Sequence, residues 1–234
     1  MNLKSVIIPG VLAILLMQIP HASALVLGQA DTFEDGTTQN WTVGLLGAPH
    51  PSPPVNVPDG GPLGVGDNYL QLASVGGGGA GSRLTALNPV QWAGDYTSLG
   101  LTSIGMDLKN LGSTDLDIRL YLANPVGGPP TDGAITSDSF LLPVGGAWTH
   151  VEFMIDPLSL TELLGDVNTL LTNVTELRIL HNPLDGFPGP PIVAQLGVDN
   201  ITALSSSAVP EPSTFGLLGL GLVGLFATKN KRRS

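Results

Sequence analysis

The sequence has no cysteine, few positive charges and few aromatic side chains. Without cysteine there is no disulfide framework, no thiolate metal site and no cysteine nucleophile. Only 12% of the 234 residues are charged and 5% are aromatic. Between residues 25 and 209 the chain has 18 acidic residues, a net charge of −14, and only four cations: Arg83, Lys109, Arg119 and Arg178. This balance excludes nucleic acid as a partner, because binding the phosphate backbone depends on clustered cations.

Glycine and proline are abundant instead, with 31 and 20 residues. The glycines follow no Gly-X-Y period, which excludes a collagen-like chain. Hydrophobic residues make up 42% of the sequence, enough to fill a core. We therefore expect a folded, turn-rich domain.

Residues 1–24 have the pattern of a secretory signal peptide. Lys4 precedes an apolar run from Val6 to Ile19, and Ala22 and Ala24 fit the small-residue cleavage pattern. An uncleaved membrane anchor is the alternative, which the shortness of the apolar run disfavours. We predict a signal helix that is removed after Ala24.

The C-terminal residues 209–234 combine three segments in a fixed order. An apolar stretch from Phe215 to Ala227 is followed by a basic cluster from Lys229 to Arg233. At a rise of 1.5 Å per residue, the apolar stretch spans about 20 Å and predicts a marginal transmembrane helix. The cations hold the tail on the cytoplasmic side. The segment before the helix is Val209-Pro210-Glu211-Pro212-Ser213-Thr214.

This order of VPEPST, apolar helix and basic cluster resembles the PEP-CTERM sorting signal of Gram-negative bacteria. The resemblance implies that an exosortase recognises the tail and removes it near Pro210, Glu211 and Pro212. The membrane would then anchor the protein only transiently, before delivery to the cell surface or extracellular matrix. An ordinary anchor behind a Pro-rich linker is the alternative.

Residues 25–208 read as one all-β domain. Short apolar or alternating runs recur between turn residues, and alternation is clearest where Leu116, Ile118, Leu120 and Leu122 interleave with Asp117, Arg119 and Tyr121. Nine such runs predict a β-sandwich or jelly roll. They are Thr32–Leu45, Tyr69–Ser74, Ser82–Leu87, Leu101–Leu108, Leu116–Ala123, Ile135–Leu142, Trp148–Ile155, Val174–His181 and Ile192–Leu204.

Two segments depart from the strand pattern. The leucines between Pro157 and Asn173 follow helical spacing, with Gly165 as a break, and predict one short helix or helical loop. The segment Gly47–Gly66 contains six prolines and predicts a long irregular loop, because proline cannot pair in a central strand.

Two short motifs give the body a second resemblance. The segment from Phe33 to Gly36 and the late Gly197-Val198-Asp199-Asn200-Ile201 are similar to the first and last strands of galactose-binding-like jelly rolls found in carbohydrate-binding modules. In that fold the two strands are neighbours and often supply a structural calcium site. The resemblance implies Glu34 and Asp199 as Ca²⁺ ligands, with Asp31 or Asp35 as additional candidates. The alternative is a turn at Asp35-Gly36 and a strand end at Asp199-Asn200.

A sugar-binding face needs exposed aromatic side chains. Trp92 and Tyr96 lie in a loop-like stretch, so we predict them as the stacking residues. Trp148 and Phe153 have opposite parity in one strand, which predicts that one of them faces outward.

No catalytic constellation is evident. The histidines show no HExxH spacing and there is no G-x-S-x-G nucleophile motif. We predict a protein that is not an enzyme, with a structural or adhesive role at the cell surface and exopolysaccharide as its contact. A secreted glycan-active enzyme, hydrolase or lyase-like, on a jelly-roll scaffold is the alternative, and it would need two acidic residues converging in one cleft.

Overall fold

The computed structural model describes residues 25–44, 50–125 and 129–205. The predicted signal peptide with Ala22 and Ala24, the sorting segment 209–214 and the predicted transmembrane helix lie outside the described residues. No helix within the described ranges combines the length and the apolar character needed to cross a bilayer.

The body is a sandwich of two six-stranded sheets in which every strand pairing is antiparallel. Sheet A consists of β1 (Ala30–Asp31), β2 (Val55–Val57), β3 (Tyr69–Val75), β5 (Ser103–Asn110), β9 (Thr149–Met154) and β12 (Val193–Leu204). Sheet B consists of β4 (Thr85–Asn88), β6 (Leu116–Asn124), β7 (Asp132–Thr136), β8 (Phe140–Leu142), β10 (Leu160–Leu164) and β11 (Glu176–His181). The all-β sandwich prediction is confirmed.

Strand β12 lies at the centre of sheet A, which has the order β2-β3-β12-β5-β9. Along one edge β12 pairs first with β3 and then with β1, where Asp31 faces Ile201; along the other it pairs with β5. The first and last strands are therefore neighbours, as the resemblance implies, but the first strand is Ala30–Asp31 and not the segment from Phe33 to Gly36.

In sheet B the order is β10-β7-β6-β11-β4, with β8 also paired to β6. The alternation in β6 sorts its side chains between the two faces. Leu116, Ile118, Leu120 and Leu122 are fully buried in the core between the sheets. The opposite parity, which carries Arg119 and Tyr121, lies on the outer face of sheet B.

The helical prediction for 157–173 is wrong in its first half. Residues Leu160–Leu164 form strand β10 on the edge of sheet B, and only Val167–Thr172 form a helix, α2. Gly165, with φ of +66°, separates them, so the predicted break is real. Pairing with β7 outweighed the helical spacing of the leucines. A second helix, α1 (Tyr96–Leu99), was not predicted.

Two further boundaries differ from prediction. The run predicted as Thr32–Leu45 contains only an isolated bridge, Thr42 to Leu87, among its described residues. Positive φ values at Phe33, Gln39 and Asn40 turn the chain instead. The predicted proline-rich loop contains the short strand β2, which its neighbouring prolines confine to the sheet edge.

Candidate functional site

The two predicted stacking residues are buried, so that prediction is wrong. Trp92 and Tyr96 are 0% and 1% exposed. The Trp92 indole nitrogen donates to Asp31 Oδ2 at 2.7 Å, and the Tyr96 hydroxyl donates to the Trp92 carbonyl at 2.8 Å. Their segment folds into the core instead of lying on the surface, and neither ring is available to a sugar.

Asp31 organises that part of the core. Besides Trp92, its carboxylate accepts hydrogen bonds from Trp41 Nε1 at 2.8 Å and from Gln91 Nε2 at 2.9 Å. Burial raises the pKa of Asp31 although these donors favour the charged form. Its oxygens are occupied by structural partners, so Asp31 joins two loops to β1 and is a poor additional calcium candidate.

A group of four carboxylates, the acidic cluster, lies at the outer face of sheet A: Glu34, Asp67, Asp107 and Asp199. Asp199 is opposite Asp107 in the β12–β5 register and is only 1% exposed. Burial, with a smaller contribution from the nearby charges of Asp67, Asp107 and Glu34, raises the pKa of Asp199 to about 7, against the lowering effect of the Asn200 N–H.

Asn200 holds the two opposed carboxylates together. Its side-chain amide donates to Asp107 Oδ2 at 2.7 Å and to Asp199 Oδ2 at 3.3 Å. Its backbone N–H donates to Asp199 Oδ1 at 2.7 Å. The residue has φ of +51° where the β12–β5 register shifts, a conformation that Asn tolerates better than most residues.

The acidic cluster fits calcium in its chemistry, because it consists of hard oxygen donors and contains a buried, crowded carboxylate. Within the described ranges, however, no three Asp, Glu or His side chains are arranged to hold a metal ion. Glu34 Oε1 accepts from the Asn68 N–H at 2.9 Å. Asp35 lies in a turn in which the Gly36 N–H donates to the Phe33 carbonyl, as the alternative interpretation expected. Its carboxylate accepts from the Thr37 N–H that follows the turn. The calcium site at Glu34 and Asp199 stays a prediction.

An aromatic ring covers part of the same face. Phe153 is buried and Trp148 points outward, which confirms the parity prediction. Trp148 packs edge-on against Tyr69, with 5.3 Å between ring centroids, and donates to the Gly60 carbonyl at 3.0 Å. Its ring lies over Gly197, where an added Cβ would come within 2.7 Å of the indole.

The outer face of sheet B has a different character. Tyr121 lies opposite Arg178 of β11 and Ile135 of β7 in the strand register. Its ring extends over Gly133, where an added Cβ would lie 2.7 Å from the hydroxyl oxygen. Arg178 pairs with Glu176, whose side chain is almost fully buried. The strands of this face therefore direct outward an aromatic ring, a guanidinium and a carboxylate that is itself almost fully buried.

A loop, residues 182–189, crosses that face. Phe187 stacks on Tyr121 with 4.2 Å between centroids and an interplanar angle of 10°. Phe187 is 39% exposed, whereas Tyr121 beneath it is 2% exposed. Burial raises the pKa of the Tyr121 hydroxyl. The loop thus buries an aromatic side chain that the strand itself directs outward.

All three arginines of the body contact this loop. Arg119 Nε donates to the Asn182 carbonyl at 2.9 Å and Arg83 Nε to the Gly189 carbonyl at 2.6 Å. The Arg178 guanidinium carbon lies 5.1 Å from the centroid of the Phe187 ring. Sequence reasoning placed Arg119 and Tyr121 on the outward parity of β6 but did not identify either as functional. The alternation was the available signal, and the covering loop could not be inferred from it.

Comparison with known proteins identifies the C-terminal end of the chain and, separately, the fold of its body. Residues 208–233 match the PEP-CTERM protein-sorting motif, which implies an exosortase-targeted surface protein. No curated protein matches the chain.

The body is similar in fold to carbohydrate-binding modules. A family 11 module from Clostridium thermocellum, in complex with a β-1,3-1,4-mixed-linked tetrasaccharide, is 16% identical, with 77% of this chain and 96% of that chain covered and a TM-score of 0.51. An exo-β-agarase is 14% identical with a TM-score of 0.54. That match covers 79% of this chain but only 25% of the agarase. At these identities the likeness concerns the fold.

Proposed function

We propose that this chain is an exported, exosortase-processed protein that contacts exopolysaccharide at the cell surface or in the extracellular matrix in a structural or adhesive role. The observation that carries the proposal is the sorting motif at residues 208–233 attached to a sandwich whose fold is that of carbohydrate-binding modules. Export would place the body where polysaccharide is the abundant partner.

The outer face of sheet B supports a glycan contact better than the outer face of sheet A. Tyr121 would supply an aromatic ring for stacking on a pyranose once the Phe187 ring that covers it is displaced, and Arg178 lies beside it as a hydrogen-bond donor. On sheet A the carboxylate of Asp199 is buried and held by Asn200. A negatively charged, buried group contributes little to a neutral sugar.

The proposal includes no catalytic activity. The matched part of the agarase is a quarter of that enzyme, so its reaction is not transferred to this chain. Glycan hydrolysis needs two carboxyl groups flanking the scissile bond with access to substrate. Asp107 and Asp199, which do lie opposite each other, are bridged by Asn200.

Retention and turnover on one set of polysaccharides test both parts of this proposal. The purified protein is passed over mixed-linked β-1,3-1,4-glucan, agarose and the exopolysaccharide of the producing cells, and the eluate is assayed for reducing ends. We expect retention on at least one polysaccharide and no new reducing ends. Release of reducing ends would support the enzyme alternative, and absence of retention on all three would contradict the glycan contact.

Processing is tested separately by the intact mass of the protein recovered from the cell surface. The sorting proposal expects a species that lacks residues 1–24 and the basic cluster from Lys229 to Arg233. A main species that still carries the cluster would contradict it.

Calcium is the one cofactor we propose, with Glu34 and Asp199 as ligands. The ion would neutralise the buried charge of Asp199 and join the first loop to the last strand. Millimolar Ca²⁺ is expected to raise the melting temperature, because a ligand bound only by the native state stabilises it. Asp199→Asn should remove most of that shift, whereas Asp138→Asn, exposed near sheet B, should keep it. Equal melting in calcium and in chelator would contradict the site.

A further inference from the structure

We infer that Tyr121 is the stacking platform for a sugar ring and that Phe187 occupies this platform in the free protein, so that loop 182–189 must move aside before glycan binds. The inference rests on the proposed glycan contact and adds to it a binding residue and an internal competitor. Its central observation is the parallel stack of Phe187 on Tyr121.

The stack has the geometry expected of a bound ring. Aromatic pairs with a small interplanar angle stack in an offset arrangement, and we expect a pyranose to use the same face of the ring. Phe187 lies 4.2 Å from Tyr121 at 10°, on the solvent side of the platform. On its sheet side the platform extends over Gly133, where a side chain would displace it. The ring of Tyr121 therefore lies against Gly133 on its sheet side and is covered by Phe187 on its solvent side.

The loop is attached to the body at its two ends, and its middle is held by hydrogen bonds of Leu184 and Gly186 to the Asn182 side chain and by a long contact of 3.5 Å from Thr161 to Asp185. Asn182 and Gly189 are buried, whereas residues 183–185, 187 and 188 are exposed. Arg119 and Arg83 bind the carbonyls of the two end residues. A Cβ at Gly189 would collide with the His181 carbonyl, so the base of the loop is closed tightly. Segments with few buried contacts open at low free-energy cost, which permits the middle of this loop to move while its ends stay in place.

Removing the competing ring should strengthen binding. An aromatic stack contributes about 0.5 to 1.5 kcal/mol, so Phe187→Ala is expected to lower the Kd for glycan by about three- to tenfold. Leu184→Ala is the matched control, because Leu184 lies in the same loop and is 71% exposed. It should leave the Kd unchanged. Tyr121→Ala should weaken retention by about tenfold or more.

A covalent lock tests the required movement. The chain has no cysteine, so Thr161→Cys and Asp185→Cys introduce the only two thiols. The native side-chain oxygens of these residues lie 3.5 Å apart, between β10 and the loop. A short bismaleimide joining the two cysteines would hold the loop over Tyr121, and intact mass verifies the cross-link. The double variant without cross-linker is the control.

The experiment measures retention on mixed-linked β-1,3-1,4-glucan, agarose and the exopolysaccharide of the producing cells. Loss of retention on cross-linking, together with stronger retention by Phe187→Ala, is the expected result. Equal retention by the locked, unlocked and Phe187→Ala proteins would overturn the inference while leaving a glycan contact elsewhere on the body. No retention by any of these proteins would overturn the proposed function and the inference with it.

Discussion

The two outer faces of the sandwich both place an aromatic ring over a strand glycine, but the charged groups around the two rings differ. On sheet A the ring of Trp148 lies over Gly197 beside the acidic cluster. On sheet B the ring of Tyr121 lies over Gly133, and all three arginines of the body contact the loop that covers it. Each face therefore has an aromatic ring resting on a strand glycine.

The two faces differ in the contacts that hold the covering ring or loop in place. Trp148 donates a hydrogen bond directly to the Gly60 carbonyl, so ring and loop are tied together on sheet A. Tyr121 is covered by a ring stack, and its loop is held at Asn182 and Gly189 and by a long contact of 3.5 Å between the Thr161 hydroxyl and Asp185. A fixed cover suits a structural face, and a cover held mainly at its ends suits a face that binds. Four measurements compare the two faces.

The largest difference in the free energy of unfolding is expected between substitutions of two cations, Arg119 and Lys109. Arg119 is 5% exposed and donates to the carbonyls of Asn182, Thr136 and Ser137. Arg119→Met leaves these carbonyls without their donor and should lower the free energy of unfolding by about 3 to 5 kcal/mol.

Lys109→Met is the matched change on sheet A, where the ammonium lies 6.0 Å from the Trp148 ring centroid. It should cost less than about 1 kcal/mol. Urea unfolding of both variants measures the two losses in the free energy of unfolding. Equal losses would show that Arg119 stabilises the fold no more than Lys109 does.

The second prediction concerns pH and the acidic cluster. Because burial and three neighbouring carboxylates raise the pKa of Asp199 to about 7, the folded state holds a proton that the unfolded state releases near pH 4. Stability should therefore fall as pH rises from about 4 to about 7, by on the order of 3 kcal/mol, and then level off. Chelator is present throughout.

Asp199→Asn should flatten this dependence and raise stability at pH 8. The remaining charged groups of the face, including His150 paired with Asp107, stay in place, so the difference between the two proteins isolates Asp199. On sheet B, Asp138→Asn removes one exposed charge and should leave the pH profile unchanged. The same change in stability between pH 4 and pH 7 in the wild type and in Asp199→Asn would contradict the assignment.

The third prediction compares the two glycines. Alanine at Gly133 or Gly197 places a Cβ 2.7 Å from the ring above. Trp148 is held by its hydrogen bond to the Gly60 carbonyl, whereas Tyr121 is covered by a loop that can move aside. Gly197→Ala should cost about 2 kcal/mol and Gly133→Ala about 1 kcal/mol. Thermal unfolding measures both, and a red shift of Trp148 emission should accompany only Gly197→Ala. The reverse order of stability would mean that the ring on sheet A yields more easily than the covered ring on sheet B.

The smallest effect is expected at the surface ion pair between His150 and Asp107, which are 2.9 Å apart. The His150 side chain is 57% exposed, so solvent screens the interaction. His150→Gln should change the free energy of unfolding by less than about 0.5 kcal/mol. A larger change would place this pair among the groups that organise the acidic cluster.

Much of the architecture could be predicted from the chain, because alternation of leucines in β6 and pairing of the first and last strands follow from local pattern and fold resemblance. The failures have one physical cause. Trp92 and Tyr96 sit in a segment without strand pattern, and only the tertiary contact with Asp31 determines that the segment is buried. Likewise, Tyr121 is buried by Phe187, which lies 66 positions away in the sequence, and no local pattern predicts such a contact.

The central place of β12 in sheet A determines when the body can fold during export. This strand is the last of the sandwich, yet β1, β3 and β5 all pair with it. Sheet A therefore remains incomplete until Leu204 is in place, and the sorting motif begins at residue 208, four positions later. The strand that completes the fold is thus followed at once by the motif that implies targeting to an exosortase.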